Sequence, residues 1–490
     1  MYSLNRCLGF LSSVAWVVAI SQPTYANDDF AVWKQQHQDS FQEYKDKRDR
    51  EFTAFLKTQW KEMNLLKGVE LDPEPKPAVM PVAVIPPESP EPVITAPTLP
   101  VVKPEAVKEI PLPAPVASPA PEAQRKGRRL VINYLGIRQT FYYDAKFKAG
   151  LSPRMDGKAI SDFWSALSLA DYEHLIGQVN EISSAMRLND WAHALLVYEI
   201  STALYPASES SRSLFTWFML AKDGYQSRIA YNNREAFLLI PSQQPLYAVP
   251  YFTFEQRRYY ALSFDGREKK LGQVYTYDGN YPGADKALNM QMSNEVLMAG
   301  TSAYRDLSFE FEGRRYAIRT AYENERIRFM ETYPQLGLEW YFKTRVNARA
   351  SMPLQQQLSD YMKDMDEQTA VNFLLRFVQT SLRYKTDEDQ FGRENYLLPE
   401  ETLYYPYSDC EDRSILFAWL VRSLLGMEVI VLDYPGHVAT AVLFKGSIPG
   451  DSIAHNGHRY IVADPTYINA SAGMTMPAFK NKKAEVIEIR

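Results

Sequence analysis

Cysteine is scarce in this chain: two stand among 490 residues, beside six histidines. That excludes a disulfide-stapled scaffold and a Cys-rich zinc module. Positive charge is not in excess either. Lys and Arg total 54 against 59 Asp and Glu, for a net charge of −5. No basic field is available for phosphate backbones, so nucleic-acid partners are excluded as a first reading. Long apolar runs are missing as well. The best candidate, residues 7–20, is shorter than the ~20 residues of a membrane span. Apolar residues make up 46% and aromatics 13%, enough for sizeable cores, and the length allows two or three domains.

The short apolar run has its own meaning. Arg6 precedes it, and Ser-Gln-Pro-Thr-Tyr-Ala follows, ending at Ala26 before Asn27-Asp28-Asp29. This is the layout of a secretory signal peptide over residues 1–26, with cleavage after Ala26. The expected location is then periplasmic or secreted, with membrane attachment only if the signal is retained. Cleavage removes Cys7 and leaves Cys410 alone. A lone thiol in an oxidising compartment is either buried and inert or there for its reactivity.

Residues 28–71 repeat every 11. Phe30, Phe41, Phe52 and Met63 form one column; Trp33, Tyr44, Phe55 and Leu66 form a second, three residues on. Eleven residues make close to three helical turns, so both columns share one narrow stripe. The spacing predicts an amphipathic helix over 27–71 whose seam is too thin to fold alone. Self-association or docking on an envelope partner suits it best; a lipid surface or a lone solvated helix are the alternatives. Residues 73–121 then hold 16 of the 31 prolines. Proline forbids helix, so 72–126 reads as a polyproline II spacer.

Globular composition begins near 127. Helical spacing runs over 158–205 and 211–223, followed by strand-like stretches at 227–231, 235–240, 246–251 and 258–264. Residues 269–352 read as a β-rich connection, with a hairpin turn at Glu312-Gly313. Helices return from 353. A helix over 410–425 closes at Gly426, and strands follow at 428–432, 437–444 and 460–463.

The chemistry concentrates late in the chain. Tyr405-Pro-Tyr-Ser-Asp-Cys410-Glu-Asp-Arg-Ser414 puts Cys410 in the first turn of a helix capped by Ser408 or Asp409. The macrodipole there favours a thiolate. Asp409, Glu411 and Asp412 oppose it unless they point away or pair with Arg413 or Arg422. A reactive thiol therefore needs a base nearby. His437, opening an alternating strand after Asp433-Tyr-Pro-Gly436, can supply one. Asp464, ending the strand Arg459-Tyr-Ile-Val-Ala463, can orient the imidazole. Cys410 as an inert core thiol, His437 as a structural histidine and Asp464 as a strand-end cap are the plainer readings. His455 and His458 flank Asn-Gly in a polar loop and suggest no site.

YSDCEDRS, then GH before a small-apolar strand, then RYIVADPTY, together resemble the bacterial transglutaminase-like superfamily of papain-type Cys-His-Asp enzymes. The resemblance covers residues 370–470. It implies an α+β core with a Cys-bearing helix packed on an antiparallel sheet. Cys410 would be nucleophile, His437 base and Asp464 orienter, passing through an acyl-thioester to water or an amine. No cofactor is expected, and the lack of a clustered His/Cys pattern speaks against a metal site. The oxyanion donors would be the Cys410 backbone N–H and a group such as Gln390, Tyr404 or Tyr405.

The segment 191–264 echoes 374–464. Tyr205-Pro206, Arg212-Ser213, Gly224 and Arg258-Tyr259 parallel Tyr405-Pro406, Arg413-Ser414, Gly426 and Arg459-Tyr460. This predicts a duplicated fold: a degenerate copy over 127–268, with Ser or Glu at 208–210, Glu235 and Ser263 at the triad positions, and a catalytic copy over 353–490. The expected function is an exported thiol acyl-transfer enzyme acting on an amide bond of a peptide or protein. The alternative is a non-enzymatic envelope binding or assembly module, which an unreactive or fully buried Cys410 would favour.

Overall fold

The computed structural model describes residues 25–63, 69–70, 126–264, 271, 273–292 and 295–489. The expected signal segment before Tyr25 and the proline tract over 72–125 lie outside them. The class is mixed α+β. The chain divides into two compact units, Met1–Phe52 and Thr53–Arg490. Among the described residues no helix is long and apolar enough to cross a membrane.

The first unit is helical from Tyr25, in α1 (Tyr25–Thr58). Pairs one turn apart line it, such as Gln35 with Asp39 and Gln42 with Asp46. Tyr44, a member of the repeat's second column, is exposed.

In the second unit the repeat does not stay helical. The helix ends at Thr58, and β1 (Trp60–Met63) and β2 (Val69–Glu70) follow. Lys, Glu, Met and Leu favour helix, so tertiary pairing has overridden propensity. Trp60 sits edge-on to Tyr231 and Tyr277, with ring centroids 4.9 and 5.2 Å away. Its indole lies so close to Gly157 that a Cβ there would fall 2.3 Å from the ring.

The hairpin β3 (Arg128–Tyr134)–β4 (Ile137–Tyr143) precedes four helices: α2 (Gly157–Ser168), α3 (Tyr172–Ala185), α4 (Asp190–Leu204) and α5 (Glu209–Lys222). Each starts where a short polar side chain takes a free N–H: Asp156, Asp171, Asn189 and Ser208. Trp164, Trp191 and Trp217 are buried among them. Six strands follow: β5 (Arg228–Tyr231), β6 (Ala236–Pro241), β7 (Leu246–Tyr247), β8 (Tyr251–Phe254), β9 (Arg257–Ala261) and β10 (Val274–Tyr277). All but β7 join β1 and β2 in an antiparallel sheet of order β1-β10-β5-β6-β9-β8-β2.

Next comes the long hairpin β11 (Ser302–Phe311)–β12 (Arg314–Glu323). Glu312 and Gly313 have φ of 49° and 70°, the left-handed pair a two-residue hairpin turn demands. Phe309 and Tyr316 on its inner face meet Phe373. The stretch 269–352 is thus split. Its β10 belongs to the first sheet, and its hairpin to the later core.

The rest runs α6 (Asn324–Met330), β13 (Gln335–Leu336), α7 (Leu338–Lys343), α8 (Ala348–Met362), α9 (Glu367–Ser381), β14 (Arg383–Tyr384), α10 (Asp387–Phe391), α11 (Pro399–Tyr404), β15 (Tyr407–Ser408) and α12 (Cys410–Leu420). β13 pairs with β7. One π-turn, Val421–Leu425, continues α12 to Gly426, whose φ of 62° ends it. Five strands complete the fold: β16 (Val429–Tyr434), β17 (His437–Leu443), β18 (Ser452–His455), β19 (His458–Ala463) and β20 (Glu485–Glu488), in the order β18-β19-β17-β16-β20. The expected polar loop at 455–458 is the tight turn of the β18–β19 hairpin, with Asn456 and Gly457 both at positive φ.

Helix α12 is buried all round except near Trp419. Its Ile415, Leu416, Phe417 and Leu420 pack into the core shared with α9 and the long hairpin. Cys410 belongs instead to the cluster on the sheet side, with Ile430, Leu432, Ala439 and Tyr434.

Candidate functional site

Asp409 caps α12 as expected. Its carboxylate accepts from the Asp412 N–H, and Asp412 returns the contact to the Asp409 N–H. Cys410 is therefore the first helical residue, where the backbone N–H has no intrahelical acceptor. The Ser414 hydroxyl donates to the carbonyl of Val438, tying α12 to the start of β17. The helix that starts at Cys410 thus packs on the strand that opens with His437.

His437 and Asp464 meet. The imidazole Nε2 lies 2.8 Å from Asp464 Oδ2, and both side chains are buried. Asp464 is itself fixed: its Oδ1 accepts from the Thr466 and Tyr467 N–H groups at 2.9 and 3.2 Å, and its carbonyl accepts from Gln379 Nε2 at 3.1 Å. Strands β17 and β19 pair with Thr440 opposite Ala463, which brings the strand-start His beside the strand-end Asp. The other ring nitrogen, Nδ1, is buried and has no hydrogen-bond partner among the described residues. A carboxylate on Nε2 fixes the proton there and leaves Nδ1 as an acceptor. The imidazole packs on Phe479, 4.7 Å between ring centroids.

The thiol itself is wholly buried. It donates to Glu411 Oε2 at 2.8 Å. Burial first, then the charges of Glu411 and Asp409, raise its pKa well above the ordinary thiol value. The basic partners expected for these acids are employed elsewhere. Arg413 donates to Ser408 Oγ and the carbonyl of Leu382 and lies over the Tyr384 ring; Arg422 donates to the carbonyl of Phe342. The pKa values of the acids themselves move up as well. Burial raises Glu411, Asp412 and Asp409, and pushes Asp387 up to about 9. Glu411 thus holds the thiol neutral. Glu411→Ala removes both the acceptor and the side chain over the sulfur, so iodoacetamide should alkylate Cys410 roughly tenfold faster at mildly alkaline pH. An unchanged rate would mean that Glu411 does not restrain the thiol.

A cavity of about 700 Å³ opens beside these groups, lined by Glu411, Tyr434, His437, Val438 and residues of β20 and α7. Tyr384 is a group that sequence reasoning missed. Its hydroxyl is buried without a hydrogen-bond partner, its pKa is raised by burial and then by Cys410, and its ring packs against the Cys410 cluster. The groups expected as the second oxyanion donor lie elsewhere. Tyr405 donates its hydroxyl to Glu331 at 2.6 Å, the Tyr404 ring packs on Tyr322 and Tyr405, and Gln390 does not line this cavity. Asp387, Glu394 and Asp409 each offer an oxygen within 4.8 Å of the others, a spacing that could hold a hard divalent cation. No spacing motif in the sequence announced this set, since the three come from α10, a loop and the α12 cap.

One other nucleophile-like trio exists among the described residues. His193 Nδ1 lies 2.8 Å from Ser183 Oγ, and its Nε2 lies 2.9 Å from Asp223 Oδ2, without hydrogen-bond alignment. Ser183 sits in the last turn of α3, at the negative end of the macrodipole. The N–H groups of Met186, Arg187 and Leu188 already bond helix carbonyls, so no donor awaits an oxyanion there. The trio joins three helix ends and lacks what acyl transfer needs.

Compared with known proteins, the chain matches no family model, no curated protein and no solved structure. Its function therefore rests on its own residues.

Proposed function

We propose that this chain is an exported cysteine-dependent acyl-transfer enzyme of transglutaminase-like type, acting on an amide bond of a peptide or protein. The observation that carries the reading is His437: its Nε2 is bonded to Asp464, its buried Nδ1 has no partner among the described residues, and its strand packs against the helix that starts at Cys410. The Cys410 proton passes to Nδ1, and the resulting imidazolium is stabilised by Asp464. The thiolate adds to the substrate carbonyl. The oxyanion is received by the Cys410 N–H and the Tyr384 hydroxyl. The C–N bond then breaks, the leaving amine takes the proton from Nδ1, and a thioester remains. Water or a second amine, deprotonated by the same imidazole, releases the acyl group and restores the thiol.

The duplicated transglutaminase-like core belongs to this proposal. It is supported by strand order, β10-β5-β6-β9-β8 against β20-β16-β17-β19-β18. It is supported more sharply by register. The pairs Ile229–Leu238, Leu239–Ala261 and Tyr251–Tyr260 become Val431–Thr440, Ala441–Val462 and Ser452–Ile461 at offsets of 201 or 202. The caps Ser208 and Asp409 keep the same offset. On that alignment Glu209, Glu235 and Ser263 stand at the positions of Cys410, His437 and Asp464, leaving the first copy a scaffold or recognition role. Export, to the periplasm or beyond, and docking or self-association through the N-terminal helix complete the picture.

One observation favours a second reading. Cys410 is wholly buried and bonded to Glu411, as in a non-enzymatic binding or assembly module that keeps the fold. The deciding experiment incubates the full chain with a panel of peptide thioesters and quenches in acid before intact-mass analysis. An acyl increment that maps to Cys410 and vanishes in Cys410→Ala supports the enzyme. No increment across the panel, with Cys410 accessible only after denaturation, supports the binding module.

A further inference from the structure

A second cavity, of about 230 Å³, lies between β13, α7, α11 and the 290–292 segment. A void of about 150 Å³ already houses a benzene ring. Its walls are apolar and soft: Met290, Met292, Met330, Tyr333, Trp340 and Tyr341. Methionine walls adapt to the shape of what enters. Two donors in this wall lack partners. Gln335 Nε2 and Trp340 Nε1 are buried and make no hydrogen bond among the described residues. Gln335 is 5% exposed, and its Oε1 accepts from the Tyr341 hydroxyl at 3.4 Å, which leaves the amide N–H groups to the cavity. Buried donors left unpaired are costly, so they mark a place where an acceptor is meant to arrive.

The remaining polar groups point to the same ligand. Lys343 and Arg393 line the cavity and also donate. Of the two acids present, Glu331 is engaged by the Tyr405 hydroxyl, and burial pushes Glu401 up to about 8, so it is protonated at neutral pH. The cavity therefore offers donors and an aromatic-sized apolar space. Its occupant brings carbonyl oxygens and a flat or long apolar side chain. Tyr396 and Lys343 line both this cavity and the larger one that contains His437 and Glu411. We propose that this cavity binds an aromatic or long apolar residue of a peptide, whose backbone carbonyls accept from Gln335 and Trp340 while the neighbouring amide reaches the His437 cavity. The binding stands by itself; its role in presenting a scissile amide rests on the thiol-enzyme reading.

The test uses the full chain with ¹³C-methyl methionine. Three of its 16 methionines, Met290, Met292 and Met330, wall the cavity. Titration with N-acetyl-phenylalaninamide should shift those three methyl resonances, and N-acetyl-glycinamide should not. Gln335→Leu, which removes the donor, should weaken binding about tenfold. Met292→Trp, which fills the space from its wall, should abolish the shifts even if Gln335→Leu proves unstable. Absence of shifts with the phenylalanine compound, or equal shifts with the glycine compound, overturns the proposal. Cys410 alkylation is followed in the same samples. A reactive Cys410 without methyl shifts sinks the pocket alone. Methyl shifts with an inert Cys410 keep the pocket and sink the reaction.

Discussion

His437→Ala should slow iodoacetamide alkylation of Cys410 at neutral pH by about a hundredfold or more, the usual worth of a positioned general base. The reason is the thiol's setting. Burial and the neighbouring Glu411 and Asp409 all hold it in the neutral form. Against them stands the unpartnered Nδ1 of His437, on the strand whose Val438 carbonyl accepts from Ser414 of the thiol's helix. Asp464→Asn should be nearly as damaging, for a geometric reason. Asp464 Oδ1 accepts from the Thr466 and Tyr467 N–H groups, so an amide there keeps its oxygen on that side. Its NH₂ then faces Nε2, which must become an acceptor. The ring proton moves to Nδ1, and the base is lost. Stopped alkylation of the native protein across pH 6 to 9 reads both variants. The reading fails if Cys410 in either variant reacts as fast as in the parent, or if the parent shows no reaction until it is unfolded.

The proposed triad was legible because each member sits at an element boundary that local chemistry marks. Asp409 is a cap residue before an apolar helix, Pro435-Gly436 is a turn, and Asp464 precedes a proline. Boundaries set by caps and turns are local, and the hairpin at Glu312-Gly313 was readable for the same reason. What the sequence hid depends on distant pairing. Trp60 becomes a strand residue through Tyr277, and β18 and β20 are edge strands whose alternation is weak. Tyr384 reaches the site from β14, a two-residue strand with no periodicity to detect. Arg413 looked like the natural partner for its flanking acids. Its place inside α12 turns it instead toward the carbonyls of Gln379 and Leu382. The offset between the two halves was visible in residues such as Arg258-Tyr259 and Arg459-Tyr460. On the proposed duplication, the helix caps Ser208 and Asp409 set Glu209 opposite Cys410.

Raising the pH from about 5 to 8 should destabilise the protein, and Asp387→Asn should remove part of that loss. The sign follows from which state holds the proton. Burial pushes Asp387 up to about 9 and Glu401 up to about 8, while both titrate near 4 once unfolded. Between those values the folded chain binds protons that the unfolded chain has released. The stabilisation from each group is complete below about pH 4 and lost as pH rises through 8 to 9, at about 1.4 kcal/mol per pH unit for each proton retained. Groups with lowered pKa act in a different window. Glu367, held down by Lys445, and Asp366, held down by the Thr369 N–H, contribute above pH 4 and lose that contribution on further acidification. Asp366 is exposed and Glu367 half-buried beside an exposed lysine, so their share is small. Stability should therefore peak near pH 5 and fall toward pH 8. Asp387→Asn keeps the acceptor for the Asn395 N–H, since an amide oxygen can replace Oδ2. It also takes the Asp387 proton out of the balance. Urea midpoints taken at each pH, with a chelator present so that no cation neutralises Asp387, Glu394 and Asp409, test this directly. Parent and variant curves that run parallel from pH 5 to 8 would show that Asp387 is already ionised in the folded chain.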